Sequence, residues 1–106
     1  MTIHVNLTDF ELSGKRALVT GGGDGLGRQF TEALLDAGAE VIIASRRKEF
    51  LDTVVEQLRG KYPKISAERC DVTDYEDVRA LAQRVGHIDI LVNSSGLAHR
   101  APWWEE

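Results

Sequence analysis

Seven residues, Gly21-Gly22-Gly23-Asp24-Gly25-Leu26-Gly27, leave this chain few folds to choose from. They follow a short β-branched apolar run and precede an amphipathic segment, so a strand must end and a helix begin across a glycine turn. Glycine accepts φ > 0 and has no Cβ to hold a ligand away. A helix that starts there points its free N–H groups and positive dipole end at whatever lies over the turn, and an anion suits that place. The pattern that fits best is T-G-x-x-x-G-x-G, with Thr20, Gly21, Gly25 and Gly27 at the fixed positions. A flexible glycine loop with no ligand is the plain alternative, and the flanking strand and helix argue against it.

The rest of the chain repeats the unit. Arg16 to Thr20 is an apolar run of the kind buried on both faces of a parallel sheet. Leu26, Phe30, Ala33, Leu34 and Ala37 fall at helical spacing, and Gly38 follows as a stop. Val41 to Ala44 is a second buried strand, and Leu51, Val54, Val55 and Leu58 mark a helix ending near Gly60 and Pro63. Ile65 to Asp71 is a third strand, Thr73-Asp74-Tyr75-Glu76 reads as a capping box, and Val78, Leu81, Ala82 and Val85 give the next apolar face. Ile88 to Asn93 is a fourth strand, with Ile88, Ile90 and Val92 on one side and Leu91 on the other. The order βαβαβαβ predicts an α/β fold of the Rossmann-like, doubly wound type, with right-handed crossovers and strands in the order 3-2-1-4. Its crevice would open between strands 1 and 4 at their carboxyl ends. With 106 residues the chain is expected to be a single, incomplete dinucleotide-binding domain, with 1–13 as lead-in and 97–106 as tail.

A second chemical signal is Ser45-Arg46-Arg47-Lys48, directly after the second strand. Three cations at a helix N-terminus oppose the macrodipole, by a few tenths to about 1 kcal/mol each. Ser45 and Arg46 lie about 20 residues past the glycine motif, where an acid selects NAD and an arginine nearby accommodates the 2′-phosphate of NADP. Serine and arginine with no acid favour NADP, with NAD possible; a solvated basic turn is the plain alternative. Asp24 argues the other way, since a carboxylate near a 2′-phosphate is repulsive.

Together these motifs resemble the short-chain dehydrogenase/reductase family over roughly residues 14 to 96. That resemblance implies cofactor contacts at Gly21, Gly23, Asp24, Gly25, Leu26 and Gly27, and at Ser45, Arg46 and Arg47. Asp71-Val72 is similar to the family's Asp-Val pair, whose carboxylate accepts from the adenine amino group; Asp71 could instead cap the coming helix. Asn93-Ser94-Ser95-Gly96 occupies the place of the family's Asn-Asn-Ala-Gly stretch, so Asn93, Ser94 and Gly96 complete the cofactor set. The family's catalytic serine and Tyr-x-x-x-Lys pair have no counterpart, because Tyr62 and Tyr75 are followed four residues later by Ser66 and Arg79. The resemblance therefore implies the cofactor half of a larger oxidoreductase that moves hydride between NADP(H) and a carbonyl or alcohol. A stand-alone, non-catalytic dinucleotide-binding or association module is the other reading. Binding of S-adenosylmethionine is disfavoured by Arg46 and Arg47, which want a phosphate.

Composition removes several other classes. A net charge of −4 with no long basic run argues against nucleic acid as a partner. Cys70 is the single cysteine, which precludes an intrachain disulfide and suits a small buried hydrophobe. His4, His87 and His99 share no ligand spacing, so no metal site is expected. The chain has no membrane-length apolar run, and a cytoplasmic location is the expectation. The fourth strand has one edge without a predicted partner, and Trp103 and Trp104 add aromatic area, so self-association is expected as well.

Overall fold

The computed structural model describes residues 12–21 and 25–94. Four strands, β1 (Arg16–Thr20), β2 (Glu40–Ser45), β3 (Ile65–Arg69) and β4 (Ile90–Asn93), alternate with three helices, α1 (Gly25–Asp36), α2 (Lys48–Arg59) and α3 (Tyr75–Val85). All pairings are parallel and the sheet order is β3-β2-β1-β4, as the alternating pattern predicts.

Strand residues alternate between two cores because successive side chains point to opposite faces. Ala17, Val19, Val41, Ile43 and Ile65 meet Leu34 and Leu35 of α1 and Leu51, Val54, Val55 and Leu58 of α2. On the other face, Leu18, Ile42 and Ala44 meet Val78, Leu81 and Val85 of α3 together with Cys70. The two cores explain why β1 and β2 are apolar at every inner position. Full burial of one such Leu or Ile side chain stabilises by about 1.5–3 kcal/mol.

Four local expectations are corrected. Helix α1 turns Gly27, Thr31, Leu34 and Leu35 to the sheet, not Leu26, which is 49% exposed. The reason is closeness: the start of α1 lies against β1, where only small side chains fit. Helix α3 is capped by Asp74, whose carboxylate accepts from the N–H groups of Glu76 and Asp77, so the cap lies one residue beyond Thr73. Strand β3 ends at Arg69, since the Asp71 carboxylate accepts from both the N–H and the hydroxyl of Thr73 and turns the chain. Ile88 precedes β4 and packs with Leu91 in the second core, opposite the face of Ile90 and Val92.

Beneath the opposite end of the sheet, Asp89 ties β1 to the entry of β4. Its carboxylate accepts from the Arg16 backbone N–H at 2.9 Å and meets His87 Nε2 at 2.7 Å. Those two contacts, the Arg16 N–H foremost, hold the carboxyl below the usual carboxylate range. A depressed folded-state pKa gives stability that is present above the unfolded value, about 3.9, and is lost as pH falls through the folded value. Asp89→Asn is therefore expected to flatten the acid limb of a melting-temperature profile taken from pH 7 to pH 2.5. A variant that lost stability as steeply as the wild type would refute the assignment.

Candidate functional site

At the carboxyl ends of the strands, the turns after β1, β2 and β3 enclose a cleft of about 320 Å³. Its lining comes from Gly21, from Ala44 to Arg47, from Cys70 to Thr73, and from Ser94. Seven expected site residues thus meet at one place: Gly21, Ser45, Arg46, Arg47, Asp71, Val72 and Ser94.

The glycine turn is built by close contact. Gly21 has φ 70°, open to glycine at little cost, and its N–H donates to the Ala44 carbonyl at 2.8 Å. A Cβ on Gly27 would lie 2.1 Å from the Gly21 carbonyl oxygen and 2.5 Å from Ser94 Oγ, so nothing larger than hydrogen fits there. Thr31, fully buried one helical turn on, satisfies its hydroxyl by donating to the Gly27 carbonyl at 2.9 Å. Helix α1 has no acidic side chain in its first turn, from Gly25 onward.

Ser94 closes the other side. Its hydroxyl lies 2.6 Å from the Thr20 carbonyl and 3.3 Å from that of Gly21, so it is spent on the protein backbone. Asn93 likewise accepts from Thr20 Oγ1 at 3.0 Å. Both act here by stitching β4 to β1. Gly25, Leu26, Gly27 and Asn93 do not line the cleft, and Gly23, Asp24 and Gly96 lie outside the described residues.

The basic turn is ordered by two separate devices. Ser45 Oγ accepts from the Arg47 N–H at 3.1 Å. Lys48 is paired with Asp52 one turn along at 2.9 Å, which leaves Arg46 and Arg47 as the cations at the cleft. Opposite them, Asp71 is held below its usual range, first by the Thr73 hydroxyl and N–H, then by the positive field of Arg46. Its N–H donates to Asp77, which also binds Arg69, so the loop is fixed from behind.

Cys70 and Thr73 line the cleft although neither stands out in the sequence as a site residue. Their position was readable in one respect: they follow β3 as Arg46 and Arg47 follow β2. Cys70 joins the two turns, its N–H donating to the Ser45 carbonyl at 2.9 Å. Burial pushes its thiol up to about 11, so it remains protonated and unreactive. Among the described residues no cluster of side chains could hold a metal ion, and no helix is long and apolar enough to cross a membrane.

The family model described as short chain dehydrogenase matches residues 15–105. The chain belongs to that family. Mouse L-xylulose reductase (Mus musculus) is 40% identical over 97 residues, which cover 92% of this chain and 38% of the relative. Among solved structures, a Pseudomonas aeruginosa RhlG/NADP active-site complex is 36% identical with a TM-score of 0.77, covering 91% of this chain and 40% of its own. An NADPH-bound short chain oxidoreductase from Pseudomonas aeruginosa PAO1, described as having an atypical catalytic center, is 39% identical with the same TM-score of 0.77 over 83% of this chain and 37% of that one. This short-chain dehydrogenase chain spans about 38% of the length of the L-xylulose reductase it matches. Within that span its sheet order is the one the family resemblance implies.

Proposed function

We propose that this chain is the NADP(H)-binding portion of a short-chain dehydrogenase/reductase whose complete form transfers hydride between NADP(H) and a carbonyl or alcohol. The observation that carries the reading is the cleft itself, which joins the glycine turn to a basic turn bearing Arg46 and Arg47 and no acid. Two similar structures holding NADP or NADPH support it.

The residues present fit such a cofactor. The free N–H groups at the start of α1 suit the pyrophosphate, and the gap kept by Gly27 lets helix and strand approach closely enough to present them. Val72 and Asp71 suit the adenine, the latter through the carboxylate oxygen that Thr73 leaves unused. Arg46 and Arg47 suit the 2′-phosphate by charge-assisted hydrogen bonds. The bound dinucleotide would supply the hydride; this chain's own residues bind and orient it. Tyr62 takes no part, since it is buried far from the cleft lining and donates to Asp36.

Calorimetric titration of the purified chain with NADPH, and separately with NADH, tests the reading. Saturable binding that favours NADPH is expected. A folded chain that binds neither nucleotide would overturn it.

We also propose that the chain self-associates through β4. Among the described residues the two outer strands differ: β3 carries Glu68 and Arg69, paired with Arg84 and Asp77, whereas β4 reads Ile-Leu-Val-Asn without a charge. Charged outer strands resist edge pairing and bare ones invite it. A second copy is expected to raise the sedimenting mass toward twice 11.8 kDa as concentration rises. A compact monomer at all concentrations would exclude it.

A further inference from the structure

Arg47 is fixed by something other than its hydrogen bonds. Its guanidinium carbon lies 4.7 Å from the centre of the Phe50 ring, the distance of a cation–π contact. Phe50 is itself half-buried and packs against the first core, so the ring is a fixed platform and not a loose surface group. The Arg47 main chain is fixed too: its N–H donates to Ser45 Oγ, and its carbonyl accepts the Leu51 N–H at 3.1 Å. Arg47 lines the cleft, and its backbone and head group are both held.

We infer that Phe50 is a positioning residue that sets the NADP preference by holding Arg47 at the cleft. The inference rests on the NADP reading above. A guanidinium stacks through its flat face and hydrogen-bonds through its edges, so a ring under the face leaves the N–H groups available to a phosphate. An arginine ordered beforehand loses less freedom on binding, and the gain falls only on a ligand that carries the phosphate. Among the described residues no ring lies beneath Arg46, and Lys48 is committed to Asp52. The basic turn thus contains one preset arm and one adaptable arm.

Phe50→Leu fills the same apolar space but has no π face, and Phe50→Trp keeps one. The purified chain and each variant are titrated with NADPH and NADH, with and without Arg47→Ala. Phe50→Leu is expected to weaken NADPH binding roughly two- to fivefold, the range of a solvent-accessible cation–π contact, and to leave NADH unchanged. Phe50→Trp is expected to retain NADPH affinity, and Phe50→Leu to have no further effect once Arg47 is alanine. Equal loss for both nucleotides, or a loss that adds to that of Arg47→Ala, would mean that Phe50 only packs. A wild-type chain that does not distinguish the nucleotides overturns the NADP reading and the inference with it. A chain that prefers NADPH through Arg47 yet ignores Phe50→Leu overturns the inference alone.

Discussion

Gly27→Ala is expected to destabilise the domain by about 3 kcal/mol or more and to lower its melting temperature by roughly 10–25 °C. Two effects oppose each other at this position. Alanine is the better helix former by about 1 kcal/mol, and Gly27 lies within α1, so propensity alone predicts a gain. Against it, the added Cβ would sit 2.1 Å from a backbone carbonyl oxygen, which cannot rotate aside. Helix α1 would have to lift from β1, opening the core around Leu34 and Leu35 and moving the α1 N-terminus from the cleft. Gly60→Ala is the matched control, because a Cβ there meets nothing within 4 Å. It is expected to be neutral or slightly stabilising. Thermal melts of the two variants decide the matter; a Gly27→Ala protein as stable as wild type would show that the strand–helix approach is not tight.

The second large effect concerns affinity and leaves stability intact. If the cleft holds a 2′-phosphate, Arg46→Ala with Arg47→Ala is expected to remove about 2–3 kcal/mol of NADPH binding, roughly 30- to 150-fold, while NADH changes little. Folding should change little. Both arginines stand where the α2 dipole disfavours cations, by a few tenths of a kcal/mol each, but Arg47 also loses its Phe50 contact, about 0.5–1 kcal/mol, and Arg46 its attraction to Asp71, so the opposing effects should nearly offset. The paired outcome separates a binding role from a structural one, since arginines needed for the fold could not be removed without a clear fall in melting temperature. Titration and thermal melting on the same preparation read both quantities. Equal losses for the two nucleotides would refute the 2′-phosphate assignment.

Periodicity made most of the architecture legible. The runs in β1 and β2 are apolar at every inner position because each faces two cores, and the spacing of Leu51, Val54, Val55 and Leu58 matches the face that α2 buries. Helix α1 misled for a physical reason: the residues that approach the sheet most closely, Gly27 and Thr31, do not score as apolar. One has no side chain, and the other satisfies its hydroxyl within its own helix. Residue 88 lies just before β4 begins, so alternation counted from it assigns Ile88 to the wrong face. At the site, charge and spacing pointed to the basic turn, and the family resemblance pointed to Asp71. What they could not give was Phe50, whose role depends on a ring meeting a guanidinium three positions earlier across a turn. Nor could they separate residues that line the cleft from Asn93, whose side chain serves the sheet.

The division of the interior into two cores has a consequence for how substitutions combine. No side chain crosses the sheet, so Leu34 or Val54 on one face and Leu81 or Val85 on the other share no partner. Changes on opposite faces should add, whereas changes within one face should show coupling, and β1, β2 and β4 answer to both. The helices are thus free to drift in sequence face by face, while the run Ala17-Leu18-Val19 is constrained from both sides at once.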